Sequence, residues 1–170
     1  CMEINAFALA LLAQHAAPRM KDGGRIVAMS SLGAYRAIPN YGFVGASKAA
    51  LESLVRSLAQ ELGPRGIRVN TVNAGVVDTD ALGYFPNREA LLAEYAARTP
   101  AGPVLTPADV ANAIYLLCLP EAAMINGTTL FVDGGAVVWY HAELADASSS
   151  SVVSHWRRGT RNFQDLISIK

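Results

Sequence analysis

Three short apolar runs, each separated from the next by at least one long helix-forming segment, constrain the fold of this chain more than any other feature. The runs span residues 25–29, 67–72 and 128–132. Strands joined through helices need crossover connections, which are right-handed and place the strands parallel. The sequence therefore predicts an α/β fold built on a parallel sheet.

Helical periodicity or capping signals mark four segments: 2–20, 41–62, 87–97 and 106–120. Asn87 is predicted to cap the third helix. Thr106 is predicted to cap the fourth, with Pro107 at its first position and Asp109 in its first turn. These helices supply the crossovers that a parallel sheet needs.

Three strands make a small sheet for an open α/β domain. The continuous apolar runs 26–29 and 130–132 indicate strands that helices cover on both faces, whereas Arg68 and Asn70 interrupt the middle strand. We expect residues 1–138 to be the C-terminal half of a doubly wound, Rossmann-like domain whose N-terminal half is not in this sequence. A polar, Ser-rich tail is expected over 139–170.

Composition excludes several classes of protein. Apolar residues make up 52% of the chain and 14 Lys plus Arg balance 14 Asp plus Glu, which argues against disorder and against a basic nucleic-acid-binding surface. The longest apolar run, 6–13, is too short to span a membrane. With no signal peptide and no metal-binding Cys or His spacing, we expect a cytoplasmic protein without nucleic-acid, membrane or metal partners.

Hydroxyl and amine side chains collect where the first strand ends and the long helix begins. Ser31 closes the strand, and Tyr41 and Lys48 are seven residues apart, which is close to two helical turns. Ligands of parallel sheets bind outside the carboxyl ends of the strands. An ammonium beside a phenol stabilises the phenolate, so the pair can act as an acid, although a Tyr and a Lys on one helical face are more often a surface pair.

These residues resemble the C-terminal half of short-chain dehydrogenase/reductases. The matching positions are Asn5, Ser31, Tyr41, Lys48, 69–70, 73–79 and 133–135. Tyr-x6-Lys, with Val44 at the place of the more common Tyr-x3-Lys tyrosine, resembles the enoyl-acyl-carrier-protein reductase branch. Segments 32–41, 78–82, 85–89 and 99–102 are similar to that branch too, and the last three resemble its NADPH-using type III.

The resemblance implies catalytic roles for four residues. Tyr41 would hydrogen-bond the thioester carbonyl and stabilise the enolate, and Lys48 would hold the nicotinamide ribose and tune Tyr41. Ser31, where many relatives have a second tyrosine, would line the site near the carbonyl. Asn5 would assist a water chain that resupplies protons.

The resemblance also implies cofactor and substrate contacts. Gly75, Val77 and Thr79 would join Lys48 in binding NADPH or NADH, with NADPH favoured, and Ala74 stands where the family usually has Pro. Tyr84 and Phe85 would cover the acyl chain as a mobile lid. An acyl-carrier-protein thioester would be the substrate, and the protein would assemble as a dimer or tetramer.

A glycine-rich turn for the cofactor pyrophosphate occurs nowhere in the sequence. We therefore expect the chain to be a fragment of a longer reductase that alone binds dinucleotide poorly. Two alternatives stay open. The protein could be a 3-ketoacyl or other carbonyl reductase of the same family, or an inactive remnant that acts only in oligomer assembly through helices 2–20 and 41–62.

Overall fold

A three-stranded parallel sheet forms the centre of the computed structural model, which describes residues 1–21, 23–84, 87–102 and 105–137. The strands are β1 (Gly24–Ser31), β2 (Ile67–Ala74) and β3 (Thr129–Val132), in the order β1-β2-β3. Both pairings are parallel, which confirms the predicted fold class. The expected Ser-rich tail, 139–170, lies outside the described residues.

In the described residues, the sheet is accompanied by four α-helices: α1 (Ala8–Ala16), α2 (Gly42–Leu62), α3 (Arg88–Arg98) and α4 (Pro107–Cys118). A π-helical turn, Glu3–Phe7, leads into α1, and a 3-10 turn, Ala17–Arg19, follows it. The predicted helix over 2–20 is thus confirmed, with a change of helix type at each end.

The two predicted helix caps have different outcomes. Thr106 and Asp109 form a reciprocal capping box, in which the Asp109 carboxylate accepts the Thr106 N–H at 2.8 Å. These hydrogen bonds lower the pKa of Asp109. Asn87 precedes α3, but it takes a left-handed φ of 62° and its side chain makes no cap bond. Asn87 is therefore the N-cap residue of α3, as predicted, but through its backbone, because its carbonyl accepts the Leu91 N–H at 3.0 Å.

Strand β2 extends two residues beyond its predicted end at Val72. Asn73 and Ala74 pair with Ser30 and Ser31 of β1 and also with the last two residues of β3. The polar side chain of Asn73 does not end the strand because the N–H groups of its amide are hydrogen-bonded within the fold, as described below. All three strands consequently end at one edge of the sheet.

The middle strand is the most deeply buried, although it carries polar residues. The side chain of Asn70 is 1% exposed; its Nδ2 donates to the Ile125 carbonyl at 2.9 Å and its Oδ1 accepts the Thr128 N–H at 3.1 Å. These bonds remove the cost of burying the amide. The expectation that both outer strands are covered on both faces is wrong, because Met29 and Leu130 remain 39% and 37% exposed.

Apolar side chains of β2 point alternately to two clusters. Ile67 and Val69 pack with α2, whereas Val72 and Ala74 pack with α4, as the two-residue period of a strand requires. The apolar side chains of the first helical segment are less well covered, since Ile4 is 80% exposed. Helices α2 and α4 therefore pack on opposite faces of the middle strand.

Candidate active site

Tyr41 lies at the junction between the loop after β1 and helix α2. It is the N-cap residue of α2, with φ −115° and ψ 6°, and its carbonyl accepts the N–H of Gly45 at 2.7 Å. The helix thus begins at Gly42, one residue later than predicted. Tyr41 joins the first turn through its carbonyl while its own backbone is not yet helical.

The phenol of Tyr41 reaches the end of strand β1. Its O–H donates to the Ser31 hydroxyl at 3.2 Å, and both side chains are partly buried. The structure therefore brings together the hydroxyl at the end of the first strand and the phenol at the start of the long helix. A carbonyl oxygen beside this pair could accept a hydrogen bond from either hydroxyl.

Lys48 approaches the same strand from about two turns further along α2. Its ammonium donates to the Met29 carbonyl at 2.9 Å, and burial lowers the pKa of Lys48. Since Tyr41 and Lys48 both contact the last residues of β1, they extend from the same side of the helix, as their spacing predicts. An ammonium has three donor hydrogens, so two remain for a ligand.

Asn5 contacts the helix immediately before Lys48. It lies within the π-helical turn, and its Nδ2 donates to the hydroxyl of Ser47 at 2.9 Å. Ser47 is fully buried and donates in turn to the Val44 carbonyl at 2.7 Å. The described contact of Asn5 is thus with the second turn of α2, and its expected role in a water chain stays a prediction.

Asn73 is a site residue that the sequence reasoning treated only as a loop residue. Its side chain is completely buried, and its Nδ2 donates to the Ser31 carbonyl at 2.9 Å and to Glu52 Oε1 at 3.0 Å. One amide group thereby joins the ends of β1 and β2 to helix α2. An Asn placed immediately after a run of strand-forming residues was the available signal, since a buried amide needs several partners.

The segment after β2 holds the residues predicted to contact a cofactor. Gly75 donates its N–H to the Val132 carbonyl at 2.9 Å, and a Cβ at Gly75 would overlap the Tyr95 hydroxyl. Val77 is half-buried and pairs with Leu105, whereas Thr79 is exposed. The cofactor contacts expected of Gly75, Val77 and Thr79 remain predictions.

Tyr84 ends a 3-10 turn, Asp80–Tyr84, between this segment and α3, and Phe85 lies outside the described residues. Beyond the turn, Arg88 of α3 forms an ion pair with Asp78 that raises the pKa of the arginine. This pair borders an open cleft of about 680 Å³. The role expected of Tyr84 and Phe85 as a lid stays a prediction.

Two buried polar atoms at the carboxyl edge have no hydrogen-bond partner among the described residues: Ser30 Oγ and Asn73 Oδ1. Both atoms are closed off from solvent, so a ligand rich in hydroxyl groups, such as a nucleotide ribose, could instead reach the unused N–H donors of Lys48. No group of His, Cys, Asp and Glu in the described part of the chain is arranged to hold a metal ion. None of the described helices has the length and apolarity needed to cross a membrane.

A parallel sheet with flanking helices and a polar carboxyl edge places this chain in the Rossmann-like class of α/β domains. More narrowly, the chain belongs to the short-chain dehydrogenase/reductase family, in its enoyl reductase branch. The family profile described as Enoyl-(Acyl carrier protein) reductase matches residues 1–137.

Curated relatives agree with this assignment. The chain is 42% identical over 151 residues to 1-cyclohexenylcarbonyl-CoA reductase from Streptomyces collinus, covering 88% of the chain and 53% of that protein. It is 37% identical over 133 residues to the NADH-dependent enoyl-[acyl-carrier-protein] reductase FabI from Escherichia coli, covering 78% of the chain and 51% of the relative. The chain therefore spans about half the length of these relatives.

Solved structures share the fold. The Bacillus cereus enoyl-acyl carrier protein reductase with NADP+ superposes with a TM-score of 0.75 at 33% identity, over 79% of this chain and 52% of that one. A 7α-hydroxysteroid dehydrogenase complexed with NADH gives a TM-score of 0.73 at 37% identity, over 77% and 52%. The described fold thus corresponds to about half of each of these solved Rossmann-like chains.

Proposed function

We propose that this chain carries the catalytic residues of an NAD(P)H-dependent enoyl-thioester reductase that acts on acyl-carrier-protein substrates in fatty-acid synthesis. The observation that carries the proposal is the meeting of Tyr41, Ser31 and Lys48 at the end of β1. Relatives named as enoyl reductases of acyl-carrier-protein and of CoA thioesters support it. NADPH is the favoured cofactor in this proposal.

The Tyr41 phenol would stabilise the charge that develops during the reaction. A nicotinamide held by Lys48 would supply the hydride. As the β-carbon of the enoyl thioester accepts that hydride, the electrons of the double bond would move onto the thioester oxygen. Tyr41 O–H donates to that oxygen, and Ser31 lies close enough to share in its binding. Protonation of the α-carbon then completes the saturated thioester.

Lys48 would serve both the cofactor and the phenol. Its two free N–H groups bind ribose hydroxyls in this proposal, and its positive charge favours the electron-rich form of Tyr41. Asn5 supports the same turn of α2 through Ser47 and is proposed to contribute to the resupply of protons. The ammonium must remain charged for both tasks.

Further contacts complete the proposed site. Val77 and Thr79 would meet the nicotinamide carboxamide, and Gly75 would be a further cofactor contact. Tyr84 and Phe85 would cover the acyl chain. We also propose that the protein acts as a dimer or tetramer. These assignments rest on the family's motifs in this sequence rather than on contacts between the described residues.

Carbonyl reduction is the second candidate, and the Ser31–Tyr41 hydrogen bond favours it because such a pair can hold and protonate a ketone oxygen. Likeness to a hydroxysteroid dehydrogenase structure is consistent with that chemistry. The two candidates differ in the atom that receives hydride, which is the β-carbon of an enoyl group or the carbon of the ketone.

Loss of NADPH absorbance with crotonyl and with acetoacetyl thioesters separates these candidates. The measurement uses the protein expressed from its own gene, with each acyl group on acyl-carrier protein and on coenzyme A. We expect turnover of the crotonyl thioester. Turnover of the acetoacetyl thioester alone would refute enoyl reduction, and a preference for coenzyme A would refute the carrier-protein substrate.

A further inference from the structure

Two glycines bring the turn after β1 into direct contact with the first turns of α2. A Cβ built on Gly45, which is buried in the helix, would lie only 2.5 Å from the carbonyl oxygen of Gly33. Gly33 lies in the 3-10 turn Leu32–Ala34, immediately after the strand that carries Ser31. The two backbones therefore touch without any side chain between them.

Backbone conformation does not require glycine at either position. Gly33 and Gly45 are absent from the residues with positive φ, so an alanine could adopt their dihedral angles. Within a helix, glycine is less favourable than alanine. The space that glycine leaves, rather than its flexibility, explains its presence in α2.

The ring of Tyr41 occupies the space beside Gly33. A Cβ on Gly33 would lie 2.5 Å from Cε1 of that ring and closer still to Cδ1. Such separations require one group to move, and the ring is freer to move than the backbone. An open cavity of about 330 Å³, lined by Gly33, Tyr35, Ile38, Tyr41, Gly42 and Gly45, leaves room for that displacement.

We propose that Gly33 is a positioning residue for Tyr41, because its lack of a side chain lets the phenol reach Ser31. Gly45 allows the turn that contains Gly33 to pack directly against the helix backbone. The inference rests on the function proposed above, in which this phenol binds the thioester oxygen. It goes beyond that function by assigning the position of the phenol to a glycine that makes no contact with substrate.

The Gly33→Ala variant tests the proposal directly, and Gly42→Ala is its matched control, because a Cβ on Gly42 would meet nothing within 4 Å. Both proteins are labelled with ring-¹³C tyrosine. The Tyr41→Phe variant lacks one labelled ring, so the signal that disappears from its spectrum is assigned to Tyr41. We expect Gly33→Ala to shift that resonance and to lengthen the Tyr41–Ser31 separation in a crystal structure. Gly42→Ala should change neither.

If Gly33→Ala folds poorly, the proposal is tested by the unfolding free energies of this variant in the parent and in a Tyr41→Ala background. The destabilisation caused by Gly33→Ala should largely disappear in a Tyr41→Ala background, since the clashing ring is gone. An equal cost in both backgrounds, or an unmoved Tyr41 resonance in a folded Gly33→Ala protein, would overturn the proposal.

Kinetics link the geometry to the reaction. In the protein expressed from its own gene, Gly33→Ala should lower kcat about tenfold or more and change KM for the thioester much less, because the lost contact forms in the transition state. Full activity in Gly33→Ala despite a displaced phenol would overturn its positioning role. Full activity in Tyr41→Phe would instead refute the proposed function, while the NMR result would still decide whether Gly33 places the ring.

Discussion

The Tyr41 hydroxyl donates to the Ser31 hydroxyl across 3.2 Å, although the two residues belong to different elements. The relationship arises because β1 ends at Ser31 and α2 begins directly after Tyr41, so the short connecting loop returns to the carboxyl edge of the sheet. The pair therefore places two hydroxyl groups side by side at the carboxyl edge of the sheet.

Replacing Ser31 with Ala should weaken but not abolish the proposed reaction. Tyr41 loses its hydrogen-bond partner yet retains its own donor, so we expect kcat to fall by roughly tenfold for a crotonyl thioester. Steady-state kinetics check this value. Ser57→Ala, an exposed serine on α2, is the control, and an unchanged kcat in Ser31→Ala would contradict the role of the pair.

The dependence of activity on Lys48 should appear at alkaline pH. Burial lowers the pKa of this ammonium, so its charge is lost as pH rises through a value below the ordinary 10.5. We expect kcat/KM to decline in that range and the decline to move to higher pH in Lys48→Arg, whose guanidinium stays charged. An identical alkaline limb in both proteins would show that the charge at this position is not required.

Removing the Asn73 side chain should destabilise the fold by about 1–3 kcal/mol, because Asn73→Ala leaves a buried carbonyl and a carboxylate without their donor. Urea unfolding followed by circular dichroism measures the change. Glu52→Gln is the control, since its side-chain oxygen can still accept from Asn73. Equal stability of Asn73→Ala and the parent chain would contradict the link between the two strands and α2.

Ionisation of Tyr95 should lower the free energy of unfolding as the pH rises from about 10 to 12. Burial, with a smaller contribution from the Asp133 charge, raises its pKa to about 12. The unfolded chain therefore releases this proton first, and the folded state loses its advantage as pH rises through the folded pKa. In Tyr95→Phe the unfolding free energy should decrease less over this range. If the unfolding free energies of the two proteins fell in parallel with pH, the raised pKa of Tyr95 would be contradicted.

The sequence predicts the order and type of the main elements because strand-forming runs and helix signals are local. Parallel pairing followed from the length of the crossovers. The end of β2 was misplaced because the burial of Asn73 depends on partners from two other elements, which no local pattern reveals. The partial exposure of Met29 likewise depends on which elements cover the sheet.

The candidate site shows the same division. Ser31, Tyr41 and Lys48 could be found from the sequence, since their residue types and spacing carry chemistry at a strand end. The roles of Gly33 and Gly45 could not, because they concern space between a turn and a helix that are remote in sequence. The sequence signal was Gly45 inside the predicted helix, because glycine there lets another backbone approach the helix closely.

NADPH oxidation with a crotonyl thioester, compared between the parent protein and Tyr41→Phe, tests the central claim most directly. The protein expressed from its own gene provides the parent. The account predicts turnover by the parent and a fall in kcat of about 10²–10³-fold in Tyr41→Phe, since a phenylalanine cannot donate to the enolate oxygen. Equal rates in the two proteins, with both correctly folded, would contradict it.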